Sequence, residues 1–188
     1  MCKRKKKRVM QEKTIENKIE KLNSIISEYN QYKESQLQID IDKVLKCGNV
    51  KAYDIGLKYC NLISFWALNV ASGKTEMTFE EFLRTCLKKK QCDETGNIIV
   101  QKTELCKKIF KYDFEIVQFK EFEDVLNPIR LNPDKLYQMR ILNGSHFMSC
   151  YIQDGILMLS DTSKRGIGVI AARASRVNKD DFAWLMEI

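Results

Sequence analysis

From Gln11 to about Lys33 the apolar residues Ile15, Ile19, Leu22, Ile26 and Tyr29 are spaced four, three, four, three. That rhythm lays one stripe along a helix face. Two heptads are too few for a coiled-coil seam, so the spacing predicts a helix packed on the body of the protein, with a dimer helix as the alternative. Residues 36 to 47 read two ways. Leu37, Ile39 and Ile41 alternate like a strand, whereas Asp40 could cap a short helix through Val44 and Leu45; Gly48 ends either one. Tyr59, Leu62, Ile63, Trp66 and Val70 restore the helical period, and Gly73 stops it. Thr78 and Glu81 have capping-box spacing for a third helix that turns Phe82, Leu83, Cys86 and Leu87 inward. A turn around Asp93 to Asn97 and a fourth helix over Thr103 to Lys111 complete the first half.

The pattern then changes period. Phe114 to Phe119 reads as a strand, and Asn127-Pro128 and Asn132-Pro133-Asp134 mark a loop. Strand-like runs follow at Leu136 to Leu142, His146 to Gln153, Ile156 to Asp161, around Val169 to Val177, and Phe182 to Ile188. Helices first and strands afterwards predict an α+β fold, an antiparallel sheet with helices against it. Asp154-Gly155 is a two-residue hairpin signal. With those two as the loop, Met148 lies opposite Asp161 and His146 opposite Ser163.

Composition adds little to the fold but bounds the function. At 188 residues the chain fits one domain with an extension. Lys3-Arg4-Lys5-Lys6-Lys7-Arg8 supplies six of the seven net positive charges, so the remainder is nearly neutral. The expected organisation is a basic disordered tail over 1–10, an amphipathic helix over 11–35 and an α+β domain over 36–188. The tail can hold nucleic acid or acidic headgroups by counterion release; the plainer alternative is a solvated extension ahead of a natural start at Met10. No run approaches the length of a membrane span, and no apolar core follows the basic residues as in a secretory signal, so the expected location is cytoplasmic. Cys2, Cys47, Cys60, Cys86, Cys92, Cys106 and Cys150 are odd in number and irregularly spaced, which argues against a disulfide framework. With one histidine and no Cys-x-x-Cys pair, no metal site is expected, and no cofactor is indicated.

Two nucleotide motifs fail on context. Ser72-Gly73-Lys74-Thr75 resembles the end of a P-loop, but Leu68 stands where the first glycine belongs and a helix, not a strand, precedes it. Gly166-x-Gly168-x-x-Ala171 leaves too little chain after it for a βαβ unit.

The remaining chemistry gathers on three residues. His146 is the only imidazole in the chain. A thiol attacks carbonyls as thiolate, which needs a base and a positive environment; Cys60, at the predicted start of the Leu62 to Val70 helix, has the second. In the hairpin register above, His146 and Asp161 share a face as diagonal neighbours ~7–8 Å apart, within side-chain reach. A carboxylate there can fix the ring's tautomer, as the third member of a triad does. Each residue also has a plain structural reading: Cys60 as a small core hydrophobe, His146 as a satisfied strand residue, Asp161 as a turn cap.

Lys58-Tyr59-Cys60-Asn61-Leu62-Ile63-Ser64-Phe65-Trp66-Ala67, then Gly144-Ser145-His146-Phe147, then Asp154-Gly155 to Asp161 resembles the papain-like peptidases of phage and bacteriocin-leader type. Over about residues 45 to 188 the chain is still more similar to a plasmid-encoded family of unknown function from Lyme-disease spirochaetes. The resemblance implies a papain-like fold and a cysteine peptidase or amidase acting on a peptide or amide substrate, with Cys60 as nucleophile, His146 as base and then acid, and Asp161 as orienter. Two positions depart from the pattern: Tyr59 replaces the glycine before the cysteine, and Asp54 replaces the oxyanion-hole glutamine. A carboxylate cannot donate there unless protonated, so the alternative is a non-catalytic binding protein on a degenerate papain-like scaffold, working through its basic tail.

Overall fold

The computed structural model describes residues 14–27, 60–93, 97–141, 146–161 and 170–188; the ambiguous stretch over 36–47 and the basic tail lie outside them. Residues 14–27 form α1. Leu22 and Ile26 are buried, and Ile15 and Ile19 pack on the same core, so the stripe lies against the body of the protein.

Helix α2, Cys60–Ala71, has no polar side: every residue but Asn61 is buried. A helix apolar all round belongs in the interior, and α2 is the central helix, lying against the sheet. Its polar members are paired internally. The Asn69 Nδ2 donates to the Phe65 carbonyl at 2.8 Å, and its Oδ1 accepts from the Tyr112 hydroxyl at 2.5 Å. Gly73 ends the helix as read. With φ at +71° it closes a Schellman turn, Gly73 N–H to the Val70 carbonyl and Lys74 N–H to the Asn69 carbonyl. The P-loop-like motif is therefore a helix stop.

Helix α3, Phe79–Lys88, carries the capping box: the Glu81 N–H donates to Thr78 Oγ1, and the Thr78 N–H donates to Glu81 Oε2. The fourth helix departs from expectation. α4 spans Lys102–Leu105 and continues as a π-turn over Cys106–Phe110, ending at Lys111 with φ +64°. Leu105, Cys106, Ile109 and Phe110 all enter the core from this turn. Rings then run in contact through this layer, Trp66 to Phe79 to Phe82 to Phe110 to Tyr112 to Phe114. Each such pair adds about 0.5–1.5 kcal/mol beyond area burial.

The sheet follows, in the order β1-β6-β2-β3-β4-β5 with antiparallel pairing throughout the described strands. The strands are β1 Gln118–Phe119, β2 Leu136–Ile141, β3 His146–Gln153, β4 Ile156–Ser160, β5 Ile170–Arg173 and β6 Phe182–Glu187. The expected strand over Phe114 to Phe119 shrinks to Gln118 and Phe119 paired with β6, with the Val117 carbonyl accepting one further bond from the Glu187 N–H. A short helix α5, Glu123–Leu126, and a 3-10 turn, Pro128–Arg130, occupy the predicted loop. One face of the sheet, with Leu136, Tyr151 and Met186, closes the helical core. The other, with Tyr137, Met139, Met148, Cys150, Leu157, Leu159 and Leu185, is covered by Val125, Leu131, Ala174 and Val177. The fold is α+β, and among the described residues no helix is long and apolar enough to cross a membrane.

Candidate active site

The hairpin that carries two of the three candidate residues is built by its turn. Asp154 and Gly155 have φ of +52° and +73°, the left-handed pair of a two-residue turn whose twist matches the strands. The ladder then runs Gln153↔Ile156 to Ser149↔Ser160, the register read from the sequence. One step further places Asp161 beside Met148. Cys150, on the same face, feels that carboxylate: burial, then the Asp161 charge, push its thiol up.

His146 heads β3 and is 9% exposed, and Asp161, just past β4, is 2% exposed. Two further bonds pin the strand end that delivers Asp161. Ser160 Oγ donates to Asn23 Oδ1 at 2.5 Å, and Asn23 Nδ2 donates to the Tyr151 hydroxyl at 3.1 Å, so α1 braces the hairpin. The His146 Nε2–H donates to Asp161 Oδ1 at 2.7 Å. A carboxylate only accepts, which fixes the ring's orientation. Nδ1 is thereby left as the edge open to Cys60, the first residue of α2.

Electrostatics tie the three together. Burial draws the imidazole pKa down, but the hydrogen bond to Asp161, then Cys60, then both charges push it up, and the net result is about 10 against an ordinary 6.5. Nδ1 itself is buried without a hydrogen bond of ordinary geometry. Cys60 thus bears on the ring through a looser approach. The structure brings Cys60, His146 and Asp161 to one place and holds the imidazole protonated at neutral pH. Asp54 and Tyr59, the two departures from the papain-like pattern, lie outside the described residues, as do Gly166 and Gly168 and the basic run at 3–8.

The start of α2 also has a polar support that sequence reading missed. Gln138 on β2 is fully buried, and its Nε2 donates to Ser64 Oγ at 2.5 Å and to the Asn61 carbonyl at 3.2 Å. Its Oε1 accepts from the Lys102 ammonium. A glutamine at an inward strand position was the one available signal, since such a group is retained only with partners. The other four described cysteines, Cys86, Cys92, Cys106 and Cys150, are buried reduced thiols. Among the described residues no group of three metal-ligating side chains gathers.

Comparison of the chain with family models, with curated proteins and with solved structures gives no match.

Proposed function

We propose that the protein is a thiol-dependent acyl-transfer enzyme, a cysteine peptidase or amidase on a papain-like scaffold. The observation that carries this reading is the single imidazole held by Asp161 through Nε2 while Cys60 bears on it from the start of a buried helix. The ring's raised proton affinity suits a group that must hold a proton for the leaving nitrogen. In the reaction, the Cys60 sulfur attacks the amide carbonyl, and the His146 Nδ1–H passes its proton to the leaving nitrogen as the C–N bond breaks. The neutral ring then takes a proton from water, whose hydroxyl displaces the sulfur and releases the carboxylic acid. The backbone N–H groups of the first helical turn, which lack intrahelical acceptors, are the nearest donors for the developing oxyanion. Asp161 orients the ring and balances its charge.

The test is chemical. Intact protein is treated at neutral pH with limiting iodoacetamide, and peptide mass spectrometry ranks the alkylation of each cysteine. Cys60 is expected to react first, and His146→Ala to slow it by about two orders of magnitude or more, the usual range for loss of a positioned base. Equal labelling of Cys60 and the other buried thiols, together with no effect of His146→Ala, rejects the proposal.

A further inference from the structure

We propose that a recess between the start of α2, α4 and strands β2, β3 and β6 binds a carboxylate borne on an apolar body. The recess has a volume of about 210 Å³ and is lined by Lys102, Arg140, Phe147, Trp184 and the amides of Asn61, Gln101 and Gln118, with aliphatic side chains between them. Lys102 and Arg140 are its only charged residues, and no acidic side chain is among the described residues that line it.

Among the described residues neither side chain has an ion-pair partner. The Lys102 ammonium lies 4.8, 5.4 and 5.2 Å from the ring centres of Phe65, Phe147 and Trp184, with the Gln138 oxygen as its hydrogen-bond acceptor. Arg140 stacks its guanidinium 5.6 Å from the Phe147 ring, and its Nε is buried with no hydrogen-bond partner. Ring faces and an amide oxygen hold a cation without cancelling its charge. Two such cations side by side repel each other, and an unpaired buried donor costs free energy that an anion would return. Burial pulls the Lys102 ammonium down to about 7, Cys106 works against that and Arg140 adds to it, so an arriving negative charge relieves both groups.

The walls decide which anion. Phe147 and Trp184 meet edge to face with ring centres 5.9 Å apart, a surface that takes a flat or aliphatic body rather than a hydrated phosphate. Asn61 follows Cys60 and Phe147 follows His146 in the chain, so the recess and the thiol site are built on the same two segments. Its service as a subsite for an acidic substrate rests on the thiol reading; the binding of the carboxylate does not.

Calorimetric titration of the intact protein with benzoate tests it. Benzoate is expected to bind with a dissociation constant of ~0.1–10 mM, the range open to so small a ligand. Lys102→Met and Arg140→Gln should each weaken it roughly tenfold, as for loss of a charge-assisted hydrogen bond, with circular dichroism confirming the fold. Benzyl alcohol and inorganic phosphate should bind at least about tenfold more weakly than benzoate. Cys60→Ser should leave benzoate affinity unchanged, which separates failure of the thiol chemistry from failure of the recess. Absence of saturable benzoate binding, wild-type affinity in both cation variants, or phosphate binding tighter than benzoate overturns the proposal.

Discussion

Replacing Asp161 by Asn tests the central geometry most directly, because the substitution keeps the shape and removes the charge. In the native protein the imidazole and the carboxylate meet at 2.7 Å with side-chain exposures of 11% and 2%. Breaking so buried a pair by removing one partner costs about 3–5 kcal/mol. At 1.36 kcal/mol per tenfold that corresponds to roughly a hundredfold to several-thousandfold loss in the ring's proton affinity. The His146 midpoint should therefore fall from about 10 to between ~6 and ~8. The assay is unusually clean: the chain has a single histidine, so one imidazole Cε1–H resonance followed by NMR from pH 5 to 11 reports this site alone. The wild-type resonance should stay unshifted through neutral pH. A wild-type midpoint near 6.5, or one unmoved by Asp161→Asn, would refute the reasoning.

Two further outcomes follow from the same structure. The His146 pKa is raised on folding, from about 6.5 to about 10, so its contribution to stability is complete below the lower value, declines as the unfolded chain alone gives up its proton, and is lost as pH rises through the upper one; urea unfolding from pH 6 to 10 should show wild type losing stability relative to His146→Gln, and parallel curves would contradict this. Gly155 sits at φ +73° with open space around a Cβ, so Gly155→Ala should cost about 1–2 kcal/mol through backbone strain alone; a thermal melt showing no loss would mean the turn is not of the described type.

Much of the fold was legible because its elements carry local signals. The Thr78–Glu81 box, the Gly73 stop and the Asp154-Gly155 turn each fix backbone geometry through side chains a few residues apart, and each appears in place. From the turn, the strand period carries the register as far as Ser160, one step short of Asp161, so the diagonal pairing of His146 and Asp161 follows from the turn. The misreadings came where tertiary contact decides. Cys106–Phe110 widens into a π-turn that no local signal announces, and of the strand-like stretch Phe114 to Phe119 only its end, from the Val117 carbonyl onward, bonds to β6. Lys102 and Arg140 could not be foreseen as a pair, because they come from different elements and meet only around the rings of Phe147 and Trp184.

The order in which the three candidate residues occur has a consequence for the protein's own birth. Cys60 leaves the ribosome early, as part of a segment whose burial awaits the sheet, while His146 and Asp161 arrive only with the hairpin that β3 and β4 form later. Domains acquire structure as the chain is made, N-terminal parts first, so the nascent sulfur has no imidazole beside it. On the thiol-enzyme reading proposed above, the site is assembled only when the last third of the chain has been translated and has docked.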